Sequence, residues 1–275
     1  MYTPESTLKT VVFPAPLGPI MPTISLRLIS KERSSIALTP PKYDELTERL
    51  ETSRSTICRD LYDLEMEHAL KRIRGGAVAL TQRTSYEPPF EVRQDFFLDE
   101  KQRIASAAVK LVQDNETLLL DSGTTVYELS KALMDKKNLY IATNDLNSAM
   151  LLSQNTDIEL TVFGGALRKH HYSLTGYFTE NMVKQIHADK FFMGVDAVDM
   201  NIGYMNFSVE EIQTKKLMIQ ASNEVIVLCD HSKFEKIAFV NICHFDEVDL
   251  VITGKEVNKD ILKKIEELKI NVMTV

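Results

Sequence analysis

Asp121-Ser122-Gly123-Thr124-Thr125 stands between an apolar run, Thr117–Leu120, and an amphipathic one. Glycine lets backbone N–H groups turn toward an anion, a helix N-terminus adds partial positive charge, and hydroxyls donate further hydrogen bonds. The stretch therefore fits a phosphate cradle; the plainer alternative is a strand–helix turn with a Ser/Thr cap. It lacks the Gly-x-x-x-x-Gly-Lys spacing of a nucleotide P-loop and the three glycines of a dinucleotide fingerprint, which disfavours a nucleoside triphosphate. A second polar group comes from Glu211-Ile-Gln-Thr-Lys215, the apolar Val225–Leu228 and then Asp230-His-Ser-Lys233-Phe234. An apolar strand ending on a carboxylate, a hydroxyl and a lysine is how open α/β sheets present ligand-binding groups.

Three more turns follow apolar runs and would reach the same carboxyl edge: Thr143-Asn144-Asp145, Gly164-Gly165-Ala-Leu-Arg168 and Gly194-Val-Asp196. Each alone could be a simple turn; their convergence favours a site, with Asp196 suited to sugar hydroxyls. Of the two lysines, Lys233 directly after a strand end is the stronger candidate, because a lone lysine beside a helix, such as Lys215, is more often solvated. The candidate ligand set is Asp121, Ser122, Gly123, Thr124, Thr125, Asn144, Gly165, Arg168, Asp196, Glu211, Lys215 and Lys233.

The elements that must position these residues follow from periodicity. Residues 99–275 alternate helical and strand patterns: helices over 99–113, 126–134, 146–153, 179–186, 209–222 and 259–268, and strands over 117–120, 139–142, 159–163, 190–195, 224–228, 249–252 and 271–275. That alternation predicts an α/β domain with a mostly parallel sheet covered on both faces. Residues 81–98, with Pro88-Pro89, read as a linker.

Residues 31–80 have a different character. A short helix is expected over 43–50, and a second starts at Ser53 with Ile57, Leu61 and Leu64 on one face. A turn follows at Glu67-His68-Ala69, then strand 70–73, the Arg74-Gly75-Gly76 turn and strand 77–80. This is a winged helix-turn-helix pattern. Ser53, Arg54, Ser55, Thr56 and Arg59 fall away from the apolar stripe, toward base edges and phosphates, with Lys71, Arg72 and Arg74 on a basic wing. An ordinary amphipathic helix is the alternative. Residues 1–30 hold five of the nine prolines and no helical period, so irregular or disordered structure is expected there.

The net charge of −7 argues against a nucleic-acid partner until it is divided. Residues 1–84 carry twelve Lys and Arg against ten Asp and Glu, and the remainder twenty against twenty-nine. A mildly basic head on an acidic body is permitted. No apolar run reaches the roughly 18 residues of a membrane span, and prolines break the stretch from Val11 to Leu28, so neither a span nor a signal peptide is expected and the compartment is the cytoplasm. Cys58, Cys229 and Cys243 read as free thiols, and neither Cys243-His244 nor His170-His171 has a second ligand pair at finger spacing. No metal and no cofactor is expected.

Taken together, Thr56-Ile57-Cys58-Arg59-Asp60-Leu61, Lys71-Arg72-Ile73-Arg74-Gly75-Gly76, Asp121-Ser-Gly-Thr-Thr125, Glu211-Ile-Gln-Thr-Lys215 and Asp230-His-Ser-Lys-Phe234 resemble the DeoR family of sugar-phosphate-responsive repressors, over about residues 43–275. The resemblance implies a winged-helix head and a ligand domain similar to ribose-5-phosphate isomerase and the coenzyme A transferases. It implies operator DNA and a phosphorylated sugar or polyol as partners, and a homo-oligomer, dimer or tetramer. The chain departs from the family where Cys58-Arg59 replaces a basic pair, near His68-Ala69 where a glycine is usual, and before residue 43. Residues 1–25 match nothing expected there, which fits either a shifted reading frame or a genuine extension.

Two functions compete with a repressor. An aldose–ketose isomerase could use Asp196 or Glu211 for proton transfer on the same fold, but has no need of a winged helix. A regulator whose altered head has lost DNA binding would survive as a phosphosugar-binding module.

Overall fold

The computed structural model describes residues 46–48, 52–66, 70–73, 76–79 and 87–275. The chain divides into two compact units, Met1–Thr81 and Gln82–Val275.

In the first unit, helix α1 (Arg54–Met66) begins after Ser53, whose hydroxyl accepts the Thr56 N–H at 3.2 Å, as an N-cap should. Ile57 and Leu61, one turn apart, are fully buried, while Ser53, Arg54, Ser55 and Arg59 are exposed and Thr56 and Cys58 half-buried. The helix thus presents the polar face that the apolar spacing required. Strands β1 (Leu70–Ile73) and β2 (Gly76–Ala79) pair antiparallel, Ile73 opposite Gly76, to form the wing. Of the helix expected over 43–50, residues 46–48 are helical; the turn at 67–69, Arg74 and the expectations for residues 1–30 lie outside the described residues.

The second unit opens with helices α2 (Phe90–Gln94) and α3 (Leu98–Ala108), followed by β3 (Thr117–Leu120), α4 (Thr124–Leu133), β4 (Leu139–Thr143), α5 (Leu146–Leu152) and β5 (Ile158–Val162). A hairpin, β6 (Ala166–Arg168) with β7 (Ser173–Thr175), leads to α6 (Tyr177–Val183) and β8 (Ala188–Gly194). Then come β9 (Ala197–Asp199), β10 (Gly203–Asn206), α7 (Val209–Gln220), β11 (Ser222–Leu228), β12 (Val240–Cys243), β13 (Leu250–Thr253), α8 (Lys259–Glu267) and β14 (Val272–Thr274). Seven strands form one sheet in the order β14-β13-β11-β8-β3-β4-β5, every pair parallel.

Alternate side chains of each central strand enter opposite cores. Phe191 and Met193 of β8, with Val225 and Val227 of β11, pack with Val183, Ile212, Met218, Ile261 and Ile265 of α6, α7 and α8. Phe192, Ile226 and Leu228 pack instead with Ile104, Val126, Leu129 and Leu152 of α3, α4 and α5. Both faces of the sheet are therefore covered.

Residues 87–98 depart from the expectation of a linker. Phe90, 4% exposed, packs edge-on against the rings of Tyr127 and Tyr172, and its N–H donates to His170 O at 2.8 Å. A five-residue helix shows no period in sequence, so composition around Pro88-Pro89 hid it. Among the described residues no helix is long and apolar enough to cross a membrane.

Candidate functional site

After β3 the chain winds outward through β4 and β5, then returns to place β8 on the other side of β3 and winds away through β11, β13 and β14. The loops after β3 and β8 consequently lie side by side at the point where the winding reverses, the place where open α/β sheets bind ligands. Ser122, Gly123, Thr124 and Thr125 line a pocket there together with Gly194, Val195 and Asp196. Gly123 has φ of +124°, a conformation that side chains rarely adopt, and it caps α4, whose first residues are the two threonines. Lys233, Lys215, Glu211, Asn206, Glu87, Arg93 and His171 complete the wall.

Beneath the loop, Asp121 accepts the Gly194 N–H at 3.0 Å and pairs with the Lys215 ammonium, which also donates to Gly194 O at 3.0 Å. A lysine carries three donors; two are engaged on the protein and one remains for the pocket. Burial opposes the Lys215 charge, but Asp121 and Glu211 beside it outweigh burial and raise its pKa. Glu211 accepts from Ser173 Oγ at 2.6 Å, Asn206 Nδ2 at 2.8 Å and the Arg168 guanidinium. Burial would raise its pKa; Lys215, Arg168 and the Ser173 hydroxyl together lower it. Asp196 accepts the Phe207 N–H at 3.0 Å and lies 3.6 Å from Arg93; burial and the neighbouring Glu87 raise its pKa. The Lys233 N–H donates to Asp230 O at 3.1 Å, while its ammonium makes no hydrogen bond or ion pair among the described residues.

Of the twelve candidates, eight line the pocket, and Asp121 and Arg168 hold lining residues in place. Two are not brought to the wall. Asn144 is buried and donates to Leu174 O at 3.1 Å, tying the end of β4 to β7. Gly165 is required by close packing, since a Cβ there would stand 2.1 Å from Thr179 Oγ1 and 2.6 Å from Thr175 O. Sequence reasoning missed Glu87, Arg93, His171 and Asn206. Glu87 and Arg93 sat in the supposed linker, His171 was weighed only as half of a His170-His171 metal pair, and Asn206 ends a four-residue strand with no recognisable period.

One group among the described residues has metal-ligand geometry: Glu100, Asp230 and His231. Three of its four carboxylate oxygens already have donors among the described residues. Glu100 accepts from His231 N and Nδ1, both at 2.7 Å, and Asp230 from Ser232 N at 3.0 Å. The cluster braces α3 against the loop that carries Lys233.

Comparison with known proteins yields a coherent set. The profile of the DeoR C terminal sensor domain matches residues 97–255, and that of the DeoR-like helix-turn-helix domain matches residues 42–83. The HTH-type transcriptional regulator GolR of Listeria innocua is 33% identical over 223 residues, 81% of this chain and 87% of that one. The glycerol-3-phosphate regulon repressor of Haemophilus influenzae is 31% identical over 226 residues, 82% and 87% of the two chains. That of Escherichia coli K12 is 33% identical over 210 residues, 76% and 82%. Among solved structures, ribose 5-phosphate isomerase A of Methanocaldococcus jannaschii aligns at TM-score 0.38 and 22% identity over 50% of this chain and 54% of that one.

Proposed function

This chain belongs to the DeoR family of transcriptional regulators, and from that premise we propose that it represses a carbohydrate-utilisation operon and is released from operator DNA by a phosphorylated sugar or polyol. The observation that carries this is the Ser122–Thr125 loop. Its glycine, hydroxyls and helix N-terminus face a pocket shared with Lys233 and Lys215, at the winding reversal of the sheet. A phosphate there would gain the helix terminus and up to two ammonium groups. Glu211, Asp196 and Asn206 would meet sugar hydroxyls. Operator contacts would come from Ser53, Arg54, Ser55, Thr56 and Arg59 of α1, with Lys71, Arg72 and Arg74 on the wing. The protein acts as a homo-oligomer, dimer or tetramer, and needs no cofactor.

A regulator is favoured over an isomerase by the match of residues 42–83 to a DeoR-like helix-turn-helix domain, for which an isomerase has no need. A gel-shift titration on the upstream intergenic DNA, with and without a panel of phosphosugars that includes glycerol 3-phosphate, tests both halves of the proposal. Operator binding that no phosphosugar weakens sinks the effector; turnover of a phosphosugar at about 1 per second or faster would make the protein an enzyme.

A further inference from the structure

Glu87 stands six residues beyond Thr81, where the first unit ends, and its carboxylate gathers a basic set on one side of the pocket. Arg93 donates to Oε1 at 2.7 Å and Arg168 to Oε2 at 2.9 Å, while His171 Nδ1 lies 3.1 Å from Oε1. The four side chains are between 7 and 16% exposed. Two guanidinium groups converging with an imidazole is an arrangement suited to an oxyanion, and here the chain supplies the oxyanion itself.

Space within the pocket is short. About 30 Å³ remains among the lining residues, room for one or two waters and not for a phosphorylated sugar, so a lining group must move. Asp196, Glu211 and Lys215 are tied to the body of the fold by Phe207, Ser173, Asn206 and Asp121. Among the described residues Glu87 is held through its carboxylate alone, on a stretch that continues as Pro88-Pro89. Charge decides what can replace it. Arg93, Arg168, Lys215 and Lys233 face Glu87, Asp121, Asp196 and Glu211, four cations to four acids. A phosphate adds negative charge that the departure of Glu87 offsets. The two buried arginines it leaves would each lose one of their acids, Arg93 keeping Asp196 at 3.6 Å and Arg168 keeping Glu211, and a neutral hydroxyl would not replace the lost charge.

We propose that Arg93, Arg168 and His171 form a second effector subsite, for an oxyanion other than the phosphate at Ser122–Thr125, and that Glu87 fills it as a competing ligand supplied by the chain. This rests on the assignment of that loop as the phosphate cradle. The effector class is then a phosphorylated compound with a second anionic group, a carboxylate or another phosphate. Its binding expels Glu87 and shifts the Pro88-Pro89 stretch, which lies near the start of the second unit.

Calorimetry on the full chain, with glycerol 3-phosphate and 3-phosphoglycerate as probes, tests this. Glu87→Gln should tighten 3-phosphoglycerate binding about tenfold or more, because the internal competitor is gone, and glycerol 3-phosphate binding by a smaller factor. Glu210→Gln removes an exposed carboxylate 3.4 Å from Arg168 without freeing the subsite, and should change either affinity by less than about threefold. Equal gains in the two variants would reduce the effect to local charge and overturn the proposal. No gain in Glu87→Gln, with the wild type binding, would overturn it and leave the cradle standing; no binding by any of the three proteins would overturn both. The wild type alone offers a second measurement. The amides of Val92 and Arg93, which donate to Pro89 O at 3.1 Å, should exchange faster with 3-phosphoglycerate bound, and unchanged protection overturns the proposal.

Discussion

Lys215 and Asp121, 94 residues apart in sequence, meet in an ion pair whose side chains are 3% and 1% exposed. The pair joins α7 to the end of β3 directly under the Gly123 turn. Breaking one partner of a buried pair strands the other charge, at a cost of about 3–5 kcal/mol, whereas replacing both by apolar groups is often neutral. Lys215→Met should therefore lose about that much stability in urea unfolding, and Lys215→Met combined with Asp121→Leu should recover most of it. Additive losses in the double variant would show that the two residues act separately.

Lys233→Ala and Ser122→Ala are expected to weaken effector binding while leaving operator affinity nearly unchanged, because both lie in the second unit. A charge-assisted contact to phosphate contributes about 1.5–3 kcal/mol and a neutral hydroxyl about 0.5–1.5. Calorimetry with the best effector of the panel gives both numbers; unaltered affinity in both variants would move the phosphate elsewhere.

Asp145 caps α5, accepting the Ser148 N–H at 2.6 Å, and is fully buried. Burial pushes its pKa from near 3.8 to about 7. A carboxyl raised on folding binds its proton more tightly in the native state, so it leaves stability untouched below about pH 4 and reduces it progressively as pH rises to about 7, by a few kcal/mol in all. Asp145→Asn keeps an oxygen for Ser148 and removes that loss. The variant should gain on the wild type between pH 5 and pH 8 in urea unfolding; parallel curves would mean that Asp145 ionises normally.

Cys58 is half-buried on α1, one turn after Arg54, at a position where the family pattern is basic. Cys58→Arg should strengthen operator binding by about 1–3 kcal/mol if it gains a base contact, or steepen the salt dependence by about one unit if it gains only a phosphate. A salt series on both proteins separates these outcomes, and weaker binding by the variant would contradict the orientation given to this helix.

A fragment starting at Asp99 would lack Glu87, Arg93 and Phe90, whereas one starting at Gln82 keeps them. Loss of a buried phenylalanine costs about 3–5 kcal/mol. The Gln82 fragment should fold and bind effector, and the Asp99 fragment should melt well below it in a calorimetric scan. Equal melting temperatures would show that α2 contributes nothing to the sheet domain.

The long elements of the second unit were legible because their residues repeat. Phe191, Phe192 and Met193 form the unbroken apolar run of a strand buried on both faces, and Val126, Leu129 and Leu133 mark one face of a helix. The α2 helix, the β6–β7 hairpin, β9, β10 and β12 were not: their three to five residues mix polar and apolar types with no period, unlike the equally short but apolar β3 and β13. The site divides along the same line. Ser122 to Thr125 and Lys233 follow the apolar strands β3 and β11 and could be read directly, whereas Glu87, Arg93 and Asn206 sit on short mixed pieces that only tertiary contact orders. Asn144 and Gly165 follow strands too, and that proximity to the edge could not distinguish a ligand contact from a packing role.

The sharing of β8 between the two cores bears on cooperativity. Because Phe191 and Phe192 commit neighbouring residues of one strand to opposite layers, neither layer can melt without exposing the other's central strand, and the sheet should unfold as one unit. A signal from the pocket therefore cannot be carried by parting the sheet at its winding reversal, and must leave through segments that open at lower cost than the whole domain.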